Sequence, residues 1–147
     1  MPTPRPPARW HNVWRNADVL IEGGAALTVA SLAIRWLPFT RVLRLADVKG
    51  PASQSGSLAT MRRARWAVGR LADLAPWRAV CFQRGLALHW MLRRRGLPSL
   101  LHYGVGRDGD RVTAHVWVSL DGQILIGGEE AARHPCLAIR PVDATVA

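Results

Sequence analysis

At residue 99 the hydrophobic period of this chain changes, and that change limits its fold more than any other feature. Before it, apolar residues recur at helical spacing. After it, they alternate. "SLLHYGVG" (99–106), "RVTAHVWVSL" (111–120) and "QILIG" (123–127) each read as a strand. The links between them, "RDGD" (107–110) and "DG" (121–122), are hairpin turns, because Asp-Gly tolerates the positive φ such turns need. Strands joined this tightly pair antiparallel. Helices therefore come first and a small antiparallel meander second, which predicts an α+β fold.

The first half supplies the helices. An apolar helix is expected from Asn16 or Asp18 to about Trp36, with Leu20, Leu27 and Ile34 covering more than one face and so well buried. "LPF" (37–39) ends it, and a short helix follows around Arg41 to Asp47. "VKGPASQSGS" (48–57) is a linker. A helix then runs through "LATMRRARWAVGRLADL", with Met61, Ala64, Trp66, Val68 and Leu71 inward. The next runs from Ala79 or Cys81 to Arg95, closed by Gly96 and Pro98. Three regions result: an extended, Pro-rich arm at 1–15, a helical region with its linker at 16–57, and a core at 58–147.

The chain has 147 residues, enough for one compact domain with a real core. Its formal charge of +10 is almost wholly arginine, Lys49 being the one lysine, and suits an acidic partner. Nucleic acid is disfavoured, because the seven tryptophans lie within apolar faces and read as core. Two cysteines make no disulfide framework. No Cys or His pair has zinc-site spacing, and "GVGRDG" lacks the lysine and helix of a phosphate loop. The N-terminus has no signal-peptide core, and the apolar run 23–34 is short for a bilayer span. These readings place the protein in the cytoplasm without a transmembrane span.

Chemistry concentrates on Cys81 and His115. A helix N-terminus stabilises a thiolate through its unpaired N–H groups and dipole, and Cys81 stands at one. Taken alone, such a cysteine is a packed core residue more often than a nucleophile. His115 shifts that balance. It lies mid-strand, with Thr113, Trp117 and Ser119 on its face and Val112, Ala114, Val116 and Val118 on the other. A helix-start cysteine facing a mid-strand histidine is what a Cys–His nucleophile needs. The third, orienting group is less defined. Asp121 is six residues beyond His115, roughly 20 Å of strand, and is better used by its turn. Counting back from the turn sets His115 opposite Gly128, with Glu129 and Glu130 beside it. Glu129 is the choice, re-aimed by a bulge at Gly127-Gly128.

The stretches "CFQRGLALHWMLRRRGLPSLLHYGVGR" and "AHVWVSLDGQILIGG", with "LIEGGAALTVASLAIRWLPF" upstream, resemble the transglutaminase-like leader peptidases of lasso-peptide biosynthesis, the B proteins, over about residues 17–140. The resemblance implies a papain-like core and a Cys–His–Asp triad, with Cys81 as nucleophile and His115 as base. This chain departs from the triad at the third position, where glycines and Glu129 stand. It implies removal of the leader from a ribosomally made precursor before a separate ATP-dependent cyclase closes the macrolactam. With no fused leader-recognition domain, the chain resembles the split form that works with a separate recognition protein. No cofactor is expected in the chain itself, any ATP dependence belonging to the assembled system. Two other uses of the fold stay open: acyl transfer to an amine, and a catalytically idle subunit that holds a partner.

Overall fold

A computed structural model describes residues 15–50 and 57–140. The arm expected at 1–15, apart from Arg15, and most of the linker lie outside those residues. The helices are α1 (Ala17–Trp36), α2 (Phe39–Leu45), α3 (Leu58–Leu74) and α4 (Cys81–Arg94). Then come β1 (Leu100–Asp108), β2 (Arg111–Leu120), β3 (Gln123–Ile126), the short α5 (Gly128–Ala131) and β4 (Cys136–Arg140). The mixed helix and sheet architecture is the expected one.

Each helix starts and stops for a local reason. Ser57 caps α3, its Oγ accepting from the Thr60 N–H at 3.2 Å. Pro38 pre-sets the backbone ahead of α2, so that helix begins at Phe39, two residues earlier than expected. At the start of α4 the Gln83 side chain accepts from the Val80 N–H at 2.7 Å. At its end Gly96 takes φ +72°, and the Leu97 N–H reaches back to the Leu92 carbonyl at 3.0 Å, closing a Schellman motif.

The core joins helices α1–α4 to one face of the sheet. Leu27, Ala64, Val68, Leu86, Leu88, Leu92, Leu101, Val116 and Val118 are its buried members. His89 is sealed among them. Its Nε2–H donates to the Ala46 carbonyl at 2.8 Å, and Nδ1 accepts from Ser99 at 3.0 Å, so a neutral ring is fully satisfied. Burial pushes its pKa down to about 4.

Several expectations need correction. α1 buries one stripe (Val19, Gly23, Leu27, Ala30, Ala33), not the whole circumference, and Ile21, Val29, Leu32 and Trp36 face outward. Among the described residues it packs mainly against α3 and α4. At 20 residues and mean hydropathy 1.6 it is also long and apolar enough to cross a bilayer, contrary to the short run counted above, a test that the core helix of a soluble protein also passes. Trp66 is exposed, as are Trp36 and Trp77, so among the described tryptophans only Trp117 is buried, on the sheet face away from α4.

The sheet has strand order β3-β2-β1-β4. Asp121 and Gly122 both take positive φ, 49° and 78°, as the two-residue turn between β2 and β3 requires. β4, absent from the expected meander, adds antiparallel to β1. Since β3 and β4 are opposite edges, the chain between them crosses β2 and β1. It does so on the face away from α4. A Cβ on Gly104 would meet the His134 carbonyl at 2.7 Å, and one on Gly106 the Arg133 carbonyl at 2.7 Å. The two glycines of "YGVG" give the crossing segment its room.

Candidate functional site

Cys81 is the first residue of α4 and is half-buried, its thiol free. A first-turn residue keeps its N–H outside the helix ladder, so thiol and amide emerge together. Arg84 braces this turn: its Nε donates to the Ala79 carbonyl at 2.9 Å, and its guanidinium pairs with Asp73 at 3.2 Å. α4 lies on the Val116 and Val118 face of β2, where a Cβ on Gly85 would come within 2.8 Å of Val116.

His115 points to the opposite face, under the crossing segment. It is buried, with Nε2–H donating to the Gly127 carbonyl at 2.8 Å and Nδ1 lying 3.4 Å from the Glu130 carboxylate. Acceptors thus stand at both ring nitrogens. The structure brings His115 together with Glu130. Among the described residues no hydrogen bond joins His115 to Cys81.

The glutamate also differs from the one expected. Leu120 pairs with Gln123 as counted, but Val118 pairs with Ile126 rather than 125. The register shift falls between Val118 and Ser119, earlier than Gly127-Gly128. Past β3 the chain turns at Gly127 into α5, which sets the Gly127 carbonyl on Nε2 of His115 and brings Glu130, rather than Glu129, to Nδ1. Gly127 takes φ +80°, and a Cβ there would strike the Val116 carbonyl at 2.6 Å. Asp121 stays in its turn, exposed.

Sequence reasoning does not reach His134. The ring of His134 lies 5.4 Å from that of His115, between Thr113 Oγ1 at 2.9 Å and the Glu130 carbonyl at 2.9 Å. It fixes the crossing segment over β2. Nothing periodic around residue 134 signals this; the glycines at 104 and 106 are the one local hint. A cavity of about 710 Å³ opens beside the pair, lined by Arg65 and Gly69 of α3, by His115, and by residues 124–130. Cys81 is outside its lining. Among the described residues no group of three or more His, Cys, Asp or Glu could hold a metal ion.

A cysteine opening a helix that packs on an antiparallel sheet, with a buried histidine on the sheet's central strand, is the layout of a cysteine-protease or acyltransferase-type fold. Comparison with known families agrees: residues 24–136 match the transglutaminase-like superfamily, and the chain belongs to it. Neither a curated protein nor a solved structure matches.

Proposed function

We propose that the chain is a cysteine peptidase that removes the leader from a ribosomally made lasso-peptide precursor, with a separate recognition protein presenting the leader and an ATP-dependent cyclase acting next. The observation that carries this reading is the place of Cys81, at the first turn of the helix that packs on the sheet. In this reading the Cys81 thiolate attacks the last leader carbonyl, forming a C–S bond. The Cys81 N–H supports the oxyanion. His115 takes the thiol proton and gives it to the leaving amine, and water then hydrolyses the thioester. Glu130 orients the imidazole. His115 must first release Gly127, so the reacting arrangement forms when the precursor is bound.

A second reading, an idle subunit that holds a partner, is favoured by one observation: α4 and His115 lie on opposite faces of β2. Mass spectrometry of a precursor incubated with the chain, the recognition protein, the cyclase and ATP separates the two. Leader release is expected from the wild type. Cys81→Ala and His115→Ala should each cost more than about a thousandfold in rate. Glu130→Gln should cost more than Glu129→Gln. Precursor binding without cleavage by the wild type would favour the idle subunit.

A further inference from the structure

Cys136 begins β4 on the sheet edge and is exposed. Its Sγ lies 3.9 Å from Nδ1 of His102 on β1. Nε2 of that ring lies 2.7 Å from Ser119 Oγ on β2. The ring is also stacked on Trp117, centroids 5.3 Å apart and planes within 4°. Three neighbouring strands therefore bring a thiol, an imidazole and a hydroxyl into one line. The leader-peptidase reading uses none of them.

We propose that Cys136, His102 and Ser119 form a second thiol centre, at which Cys136 is thiolated by small disulfides. With Nε2–H donating to Ser119, the lone pair of Nδ1 is turned toward the thiol. The Cys136 S–H proton moves to Nδ1, and the thiolate attacks one sulfur of R–S–S–R. The Cys136–S bond to that sulfur forms as the old S–S bond breaks. The departing R–S⁻ takes the proton back from Nδ1 and leaves as R–SH, the disulfide itself serving as oxidant. An exposed cysteine on a sheet edge would otherwise react at the rate of any free thiol. What distinguishes this one is a base held in place from two sides, by the Trp117 stack and the Ser119 hydroxyl.

The test uses the full chain with Cys81→Ser, which leaves Cys136 as its one thiol. Its reaction with 5,5′-dithiobis(2-nitrobenzoic acid) is followed by the absorbance of the released nitrothiobenzoate. One equivalent should be released, about tenfold faster than from the same chain carrying His102→Gln, a modest share of what a positioned base can contribute. Ser119→Ala should slow the reaction and Ser119→Thr should restore it, which a merely structural role for Ser119 would not predict. Equal rates with and without His102 would overturn the proposal. Should His102→Gln fail to fold by circular dichroism, equal rates for Ser119→Ala and Ser119→Thr would overturn it instead. Oxidised glutathione in place of the aromatic probe then checks that an aliphatic disulfide reacts in the same order.

Discussion

His89 shows how one buried side chain can make stability depend on pH. Its ring is neutral in the fold, tied to Ala46 and Ser99, with its pKa pushed down to about 4 by burial. In the unfolded chain it returns to the ordinary value of 6.5. Below that value the unfolded state binds a proton that the folded state refuses, so the contribution is complete above pH 6.5 and is lost as pH falls toward 4. The loss should amount to about 3 kcal/mol, at about 1.4 kcal/mol per unit. Urea denaturation at pH 7.5 and pH 4.5 should show it, and His89→Gln should flatten the difference while lowering stability at both. His89 is visible in sequence only as a polar residue in an apolar helix. Its partners come from 43 residues upstream and 10 downstream, and no local pattern identifies them.

The segment joining β3 to β4 depends on what β1 leaves out. Gly104 and Gly106 lie beneath it, and a side chain at either position would overlap backbone. Gly104→Val should therefore cost about 1–3 kcal/mol or more through overpacking. It should also loosen the His134 and Glu130 contacts that frame His115. Gly24 is the contrast. It sits within α1, where a Cβ would meet nothing inside 4 Å, so Gly24→Ala should raise stability by about 0.5–1 kcal/mol. Thermal melts of the two variants should move in opposite directions. Both glycines look alike in the sequence. One faces a segment that arrives from 30 residues away in the chain, and the other faces solvent-side space.

The molecule as a whole has one core, and α1 belongs to it. Its stripe from Val19 to Ala33 closes over α3 and α4, and the family match begins within this helix at residue 24. Glu22 ties it to α4 through Arg95. Leu27 is fully buried while Leu32 is half exposed, so the two leucines test which face is used. Leu27→Ala should cost about 2–5 kcal/mol. Leu32→Ala should stay within about 0.5 kcal/mol, as surface changes do. Chemical denaturation of both variants checks this. A helix inserted with its apolar circumference covered would instead lose comparably at both positions.

Helix positions, the three consecutive strands and the two tight turns were legible in the chain, because periodicity, caps and Asp-Gly chemistry act over a few residues. So was the pairing of alternate residues on β2, which puts His115, Trp117 and Ser119 together. The sheet face that receives α4, the edge that receives β4, and the glutamate that meets His115 were not. Each depends on contacts between distant segments or on how the chain leaves a strand, and the turn at Gly127 into a short helix puts Glu130 rather than Glu129 against His115. A strand's alternation says which side chains share a face; only the packing of helices and the crossing segment says what that face will meet.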